Sequence, residues 1–263
     1  MKDLSYVNIL GVNINAMTMN DALAQISQWI ETAQRRYVSV CTVHTVMECY
    51  TQPQMRAAVN GAGMATPDGM PLVFLGKLSG KTAVERVYGP DLMLALCQLS
   101  AERGYRHYFY GGAAGVPERL AQRLQELYPG LQVAGGYSPP FRPLSSEEEA
   151  HMIEQINGSG ADIVWVGLGT PKQDLWMARY RQQLTAPVLL GVGAAFDFHT
   201  GQVRQAPRWM QRVSLEWFFR LMMEPRRLWR RYLVYNPWFL WLVFLQLTGL
   251  KKFTAPAPGS SSG

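Results

Sequence analysis

Cysteine is scarce in this sequence, with only Cys41, Cys49 and Cys97 among 263 residues. Their number is odd, and their spacing matches neither a CxxC pair nor a zinc finger. This excludes a small scaffold held together by disulfides and predicts reduced, structural thiols in a cytoplasmic compartment. Because 48% of the residues are hydrophobic, the chain can build a core, which excludes a disordered protein.

Common motifs of nucleotide and metal enzymes are also missing. No GxxxxGK[ST] sequence occurs, which removes the usual nucleotide-hydrolysing site. The run Gly111–Gly115 falls short of GxGxxG, and no acidic residue follows about 20 positions later, which disfavours a nicotinamide enzyme. Because no Asp-x-Asp pair or metal-spaced cluster occurs, we expect no metal or other cofactor. A bound diphosphate would be neutralised by Arg, Lys and backbone N–H groups.

Apolar runs at the two ends are short or absent. Met1–Ser5 leads into a mixed polar stretch without the apolar centre of a secretory signal, so we expect the folded body in the cytosol. Asn236–Leu250 is strongly apolar but shorter than a membrane span of about 20 residues. Its two tryptophans and flanking basic pairs favour a helix lying in the membrane interface, and an ordinary core helix is the alternative. An interfacial helix predicts that the body folds without residues 236–263.

Acidic residues are nearly absent from one part of the chain. Between Arg204 and Lys252 there are eight Arg and two Lys against two Glu, a net charge of +8. Residues 1–203 carry a net charge of −2. This asymmetry indicates an anionic partner, which can be a nucleic acid, an anionic lipid surface or a diphosphate. A solvated helical face decorated with arginines is the simpler alternative.

Between residues 37 and 193, short β-rich runs alternate with amphipathic stretches of helical length. This alternation predicts an α/β fold: a Rossmann-like, mainly parallel sheet flanked by helices. Ser146 and Glu149 have the spacing of a capping box at a helix start. The predicted strands are Tyr37–Val43, Arg106–Tyr110, Leu131–Ala134, Asp162–Val166 and Val188–Val192. The predicted helices are Pro90–Arg103, Val116–Leu127, Ser146–Asn157 and Lys172–Leu184.

The pattern changes after Gly201 to helical periods rich in Arg and Trp. We therefore divide the chain into a Rossmann-like domain over residues 1–203 and a helical, basic, membrane-associating appendage over residues 204–252. Residues 253–263 have the composition of a linker, and we expect a disordered tail there.

Candidate binding residues follow the predicted strands, because ligands of open parallel sheets bind at the carboxyl ends of the strands. Glycines at these points let the backbone approach a phosphate, and helix N-termini favour anions. Tight turns that need positive φ explain any one glycine cluster equally well. The candidates from these segments are Thr42, His44, Gly111, Gly112, Tyr137, Gly169, Lys172 and Gln173.

Asp68 lies in a turn between apolar segments and is framed by Pro67 and Gly69. A carboxylate held on a rigid loop can act as a general base, and an Asx-turn cap is the structural alternative. Arg86 follows closely, just before a predicted helix start, where Asp91 can itself be a cap. Asp68 is thus a candidate base with a cation near it in the sequence.

Taken in order, these motifs resemble the WecG/TagA/CpsF glycosyltransferases, glycosyltransferase family 26. The resemblance covers residues 5–235, and it implies that the Rossmann-like domain binds a nucleotide sugar. The matching motifs are Thr66–Gly69, Glu85–Leu92, Tyr110–Gly112, Gly167–Gln173 with Trp176, Gly191–Phe198, Arg204–Trp209, Leu215–Trp217 through Arg220, Glu224–Arg226 and Arg230.

The resemblance implies transfer of a hexose-type sugar from a UDP-sugar to a saccharide carried on undecaprenyl diphosphate. Products of the family include exopolysaccharides, capsules, teichoic acid linkage units and common antigen. It therefore implies an enzyme of the bacterial cytoplasm that binds peripherally to the anionic inner face of the cytoplasmic membrane. Whether the active unit is a homo-oligomer stays open.

Residue by residue, the resemblance identifies Asp68 with the proposed base and places Asp197 at the nucleotide site. His44 is a departure, because many relatives have Asn at this position. Two sets complete the match: the donor-pocket positions Thr42, Arg86 and Gln173, and the arginines that close over the pocket and meet the diphosphate, Arg220, Arg227 and Arg230.

One plausible base without a second carboxylate in a nucleophile motif favours a single displacement with inversion, independent of metal. Two other classes stay open: a soluble nucleotide-sugar or nicotinamide-dependent enzyme, and a non-enzymatic basic module that binds membranes or nucleic acid. The soluble enzyme leaves the Arg/Trp-rich segment unexplained. The apolar run at residues 236–250 fits lipid better than a solvated nucleic-acid groove, so we expect no nucleic-acid partner.

Overall fold

The computed structural model describes residues 5–256, and it contains a parallel sheet and a separate antiparallel hairpin. The hairpin strands are β1, Tyr6–Ile9, and β2, Val12–Asn15. The sheet strands are β3, Arg36–Cys41; β4, Met64–Pro67; β5, Arg106–Gly111; β6, Gln132–Tyr137; β7, Ile163–Gly167; and β8, Val188–Gly191. The six strands of the sheet lie in the order β4-β3-β8-β7-β5-β6, all paired in parallel. The predicted Rossmann-like α/β architecture is confirmed.

Helices connect the strands and continue through the basic segment, so the predicted helical appendage is present. They are α1, Met19–Glu31; α2, Val43–Thr51; α3, Pro53–Asn60; α4, Met70–Leu78; α5, Gly89–Arg103; α6, Val116–Leu127; α7, Ser146–Gly158; α8, Lys172–Tyr180; α9, Ala195–His199; α10, Arg208–Arg212; α11, Glu216–Met223; α12, Pro225–Trp229; and α13, Tyr235–Leu247. A π-helical turn, Arg230–Val234, joins α12 to α13. The division of the chain into domains stays a prediction, and most of the predicted tail, residues 257–263, lies outside the described residues.

All the predicted strands and helices are present, but some of their ends differ. The first predicted strand was placed too far along the chain: β3 ends at Cys41 because Thr42 caps α2 and accepts a hydrogen bond from the Thr45 N–H. The capping box predicted at Ser146 and Glu149 is wrong by one residue. Ser145 and Glu148 form it, because Ser145 is extended and lies just outside the helix.

The sheet is buried on both faces, which explains why its central strands are almost continuously apolar. On one face, α1, α5 and α6 pack against the sheet through residues such as Leu96, Leu120 and Phe109. On the other face, α7 and α8 pack through Ile156 and Met177. The three cysteines are buried and carry free thiols, as the sequence predicted.

A third apolar cluster joins the C-terminal helix α13 to the hairpin, α2 and α4. Phe239, Leu242 and Val243 are the buried residues of α13. The Gln246 side chain adds two hydrogen bonds to the hairpin, since its Oε1 accepts from the Leu10 N–H at 2.9 Å and its Nε2 donates to the Asn8 carbonyl at 2.7 Å. One face of the apolar run is therefore part of the core, which was the alternative to an interfacial helix. Within residues 5–256, no helix has the length and hydropathy needed to cross a bilayer.

Candidate active site

A cleft of about 1870 Å³ opens where the parallel strands end. All six strands point the same way, so the loops at their carboxyl ends meet at one edge of the sheet. The basic C-terminal segment forms the opposite wall of the cleft. The volume exceeds the range of roughly 300–1,000 Å³ that is usual for small-molecule sites.

The cleft brings together most of the side chains and glycines that the sequence singled out. The predicted residues that line it are Thr42, His44, Asp68, Arg86, Gly112, Gly169, Lys172, Gln173, Asp197, Arg220, Arg227 and Arg230. Gly111 and Tyr137 do not line it, so the geometry gives their predicted binding roles no support. Gly111, at φ +122°, lets β5 approach β7, because a Cβ there would lie 2.7 Å from the backbone of Gly167. Tyr137 stacks on Tyr110, with 6.0 Å between the ring centroids.

Asp68 follows β4 directly and is held against the end of β3. Its backbone N–H donates to the Cys41 carbonyl at 2.9 Å, and the Gly69 N–H donates to the same oxygen at 3.4 Å. The residue is only 8% exposed. Burial raises the pKa of the Asp68 carboxyl to about 6. The positive charge of Arg86 opposes this rise, and the negative charge of Glu216 adds to it. The structure thus gives the candidate base a pKa near the working pH of a general base.

Arg86 links the candidate base to the C-terminal segment. Its Nη2 donates to Asp68 Oδ1 at 3.0 Å and to Glu216 Oε2 at 2.7 Å. Its guanidinium lies over the Tyr88 ring, 4.0 Å from the centroid, and the Tyr88 hydroxyl donates to Glu216 Oε1 at 3.0 Å. Sequence reasoning missed Glu216 as a site residue. The available signal was an isolated glutamate in a basic segment, within the Leu215–Trp217 motif.

Thr42 and His44 lie at the start of α2, on the floor of the cleft. The Thr42 side chain caps the helix, so it has a structural role whatever it binds. His44 Nδ1 is 3.7 Å from Glu48, and its ring lies 5.7 Å from that of Tyr235. Burial and the charge of Arg231 lower the pKa of His44 to about 3, so the imidazole is neutral near pH 7.

The loop before α8 is held in place by hydrogen bonds to two buried side chains of that helix. Gln173 Oε1 accepts from the Gly169 N–H at 3.1 Å. The carboxylate of Asp174 accepts from the Ser39 hydroxyl at 2.9 Å and from the Thr170 hydroxyl at 3.0 Å. Burial raises the pKa of Asp174 to about 6. These bonds make the loop a preformed edge of the cleft, with Lys172 at its rim.

The basic wall holds Arg231 in addition to the three predicted arginines, and sequence reasoning missed it. Within residues 5–256, Nε of Arg220 and Nε of Arg231 are buried without a hydrogen-bond partner. Arg227 is paired with Glu224 at 2.5 Å, and Arg230 is exposed beside Trp229. Because a buried donor without an acceptor is costly, Arg220 and Arg231 give the cleft two cations whose Nε groups can bind an anionic ligand.

Asp197 lies in the same part of the cleft as these arginines. Burial raises the pKa of its carboxyl, and the charges of Arg227 and Arg220 oppose the rise. In the described part of the chain, no three His, Cys, Asp or Glu side chains come together as a metal site would require.

Comparison with known proteins gives one family and several relatives. The glycosyl transferase WecG/TagA/CpsF family matches residues 7–253. A relative from Bacillus spizizenii (strain ATCC 23059 / NRRL B-14472 / W23) is 33% identical over 186 residues, which is 71% of this chain and 70% of the relative. One from Bacillus subtilis (strain 168) is 30% identical over 175 residues, 66% of each protein. Both are named N-acetylglucosaminyldiphosphoundecaprenol N-acetyl-beta-D-mannosaminyltransferase.

Proposed function

Because this chain belongs to the glycosyl transferase WecG/TagA/CpsF family, as its motifs indicated, we propose that it transfers a hexose-type sugar from a UDP-sugar to a saccharide on undecaprenyl diphosphate. Such a reaction serves the synthesis of a bacterial surface polysaccharide. The names of the two Bacillus relatives support an acceptor that carries N-acetylglucosamine on this lipid. The observation that carries the proposal is the buried Asp68 in a cleft walled by arginines.

In this mechanism Asp68 is the general base. It takes the proton of the acceptor hydroxyl while the acceptor oxygen forms a bond to the anomeric carbon of the donor sugar. The bond from that carbon to the diphosphate oxygen breaks, and the leaving nucleoside diphosphate keeps the electron pair. With a pKa of about 6, Asp68 is ionised near pH 7 and still has an appreciable affinity for the proton. A single displacement of this kind inverts the configuration of the sugar.

The arginines of the cleft supply the positive charge that the departing diphosphate needs. A guanidinium binds phosphate oxygens through two parallel hydrogen bonds and stays charged at every relevant pH. Among the described residues, Nε of Arg220 and Nε of Arg231 have no hydrogen-bond partner and can bind these oxygens, so the proposal needs no metal ion. By the family resemblance, the donor is held by Thr42, Arg86, Gln173 and Asp197, with His44, Gly112, Gly169 and Lys172 beside them.

We further propose that the enzyme binds peripherally to the inner face of the cytoplasmic membrane through α13 and α4. Leu240, Trp241, Phe244 and Leu247 expose between 50% and 65% of their surface on the outer face of α13. α4 exposes Phe74 and Leu78. The two helices lie side by side, because Leu75 of α4 borders a small pocket with Val243 and Leu247 of α13. Leu240 also lines the cleft. A lipid-linked acceptor can thus reach the site from the bilayer, whose anionic headgroups match the basic segment.

The experiment is a transfer assay with purified protein, a panel of UDP- and GDP-sugars, and an acceptor that carries N-acetylglucosamine on a short polyprenyl diphosphate. We expect one UDP-sugar to give a disaccharide product by mass spectrometry, with the opposite anomeric configuration to the donor by NMR. The matched control is the same sugar without the lipid diphosphate. Turnover of the free sugar alone would favour the soluble nucleotide-sugar enzyme, and binding of vesicles without any transfer would favour the non-enzymatic module.

A further inference from the structure

Glu216 is the point at which the C-terminal segment contacts the candidate base. It is the first residue of α11, and only 15% of its side chain is exposed. One carboxylate oxygen accepts from Arg86 at 2.7 Å and the other from the Tyr88 hydroxyl at 3.0 Å. The same Arg86 nitrogen, Nη2, donates to Asp68 at 3.0 Å. A continuous chain of hydrogen bonds therefore runs from α11 through Arg86 to Asp68.

We propose that Glu216 is a positioning residue that couples the docking of the C-terminal segment to the orientation of the Asp68 carboxylate. When α11 lies against the body, Glu216 fixes the guanidinium of Arg86, and Arg86 in turn orients the Asp68 carboxylate. Release of α11 would free Arg86 on one side and leave the base poorly oriented. This inference rests on the proposed role of Asp68 as the base.

The packing of α11 favours this role over simple structural support. None of the residues of α11 is fully buried, so the helix is not fixed by an apolar anchor of its own. Trp217 and Phe218 next to Glu216 are more than a third exposed. The polar contacts of Glu216 with Arg86 and Tyr88 thus account for a large part of the attachment between this helix and the body.

The charges around Asp68 give Glu216 a second effect. Arg86 and Tyr88 face it from the segment before α5, Cys41 from the end of β3, and Arg231 from the π-helical turn. The two arginines favour the ionised carboxylate. Glu216 carries a like charge, so it opposes ionisation and raises the pKa of Asp68. Removal of this charge is expected to shift the titration of Asp68 toward lower pH as long as Arg86 stays beside the carboxylate.

The test compares Glu216→Gln and Glu216→Ala with the wild type. Glu118→Gln, an exposed carboxylate on α6, is the matched control. The first readout is the ¹³C carboxyl shift of Asp68 against pH, assigned with Asp68→Asn. We expect the Asp68 transition to move down by roughly half a pH unit or more in both Glu216 variants. This readout needs no substrate.

The second readout is the pH profile of kcat/KM. The acid limb of this profile should move to lower pH in both variants. Near neutral pH, Glu216→Ala should lose about 10- to 100-fold in kcat through misorientation of the base. Glu216→Gln should lose less, because its amide oxygen still accepts from Arg86. Glu118→Gln should match the wild type in both readouts.

An unchanged Asp68 titration and an unchanged acid limb in both variants, with only a lower melting temperature, would show a purely structural role and overturn the inference. A wild-type protein that transfers sugar from none of the donors would contradict the proposed function instead. In that case the ¹³C titration still decides whether Glu216 is coupled to Asp68.

Discussion

Arg86 donates to Asp68 Oδ1 through both Nε, at 3.2 Å, and Nη2, at 3.0 Å. Burial nevertheless raises the pKa of this carboxyl to about 6. Burial also lowers the pKa of Arg86, but the charges of Asp68 and Glu216 together raise it above its ordinary value. The pair therefore holds a permanent cation beside a carboxylate that still accepts a proton near neutral pH, as a general base must.

We predict that Asp68→Asn lowers the turnover number by roughly 10²- to 10⁴-fold, because it removes the base but keeps its shape. Donor binding, measured by calorimetry, should change little. In the wild type kcat/KM should fall as the pH drops below about 6, and this limb should be missing in the variant. The control is Asp162→Asn, since Asp162 accepts from the Arg106 N–H at 2.8 Å at the opposite end of the sheet. Near-wild-type transfer by folded Asp68→Asn would remove Asp68 from the mechanism.

The raised pKa of Asp68 also predicts how folding stability depends on pH. Between about pH 4 and 6 the folded protein binds this proton more tightly than the unfolded chain does, so Asp68 makes stability fall as the pH rises through this window. The loss is on the order of 3 kcal/mol, and it should be absent from Asp68→Asn. Urea unfolding of both proteins from pH 4 to 7 measures the difference between their free energies of unfolding. His44 makes stability rise with pH and Asp174 makes it fall, but both groups are present in the two proteins, so their contributions cancel in the difference. Parallel stability curves would contradict the prediction.

The parts of the site on the sheet were predictable, because strand ends and glycine turns are local patterns. Gly169 and Gln173 could be placed at one edge as soon as the strands were taken as parallel. Asp68 was identified by its turn alone, because β4 before it was not predicted. The long-range contacts of the site could not be predicted. Glu216 lies 130 residues beyond Arg86, and only the folding of α11 against the body joins them. The predicted binding roles of all these residues stay predictions.

Gly111 and Tyr137 were also singled out as binding residues, but they are not part of the cleft lining. A glycine after a strand reads equally well as a phosphate contact or as a close approach of two backbones, and for Gly111 the structure shows the approach to Gly167. The hairpin strands and β4 were missed for a different reason. Each has only four residues, and Asn or Pro interrupts the continuous apolar run that identified β8, which is equally short.

We predict that a strong chelator leaves the activity unchanged, because arginines rather than a divalent ion meet the diphosphate in the proposed mechanism. The measurement is the initial rate of transfer in excess EDTA, with an enzyme that depends on Mg²⁺ as the assay control. Loss of activity that Mn²⁺ or Mg²⁺ restores would show that a metal site takes part.

We predict that Arg231→Ala lowers kcat by about 10²- to 10³-fold, the usual effect of removing one preorganised charge contact in the transition state. Arg220→Ala should lower kcat by a similar factor, since its Nε is also buried without a partner among the described residues. Arg227→Ala should cost less, because Glu224 already pairs with this arginine. Arg226→Ala is the matched control, an exposed arginine of α12 outside the cleft lining. Equal losses in Arg226→Ala and Arg231→Ala would mean that net charge, and not the cleft, sets the rate.

Truncation is a poor test of membrane binding, despite the expectation that the body folds without residues 236–263. Removal of α13 takes Phe239, Leu242 and Val243 out of a shared core cluster. Trimming one such buried side chain to alanine costs about 2–5 kcal/mol, so the shortened body is expected to unfold or aggregate. The exposed face of α13 has to be changed without its buried face.

We predict that the double variant Trp241→Ser/Phe244→Ser loses at least about tenfold in binding to phosphatidylglycerol vesicles, measured by co-sedimentation. The two rings stack at 5.6 Å on the exposed face of α13, and burial of each in the interface is worth about 1.5–3 kcal/mol. Phe74→Ser on α4 should weaken binding to a smaller extent. Leu127→Ser should leave binding unchanged, because Leu127 is an exposed apolar residue at the end of α6 and not on α13 or α4. Wild-type binding should weaken with salt and with neutral phosphatidylcholine vesicles, because the basic segment contributes charge. If the double variant sediments like the wild type, this apolar face contacts something other than lipid, and a second copy of the chain becomes the first occupant to test by its oligomeric state.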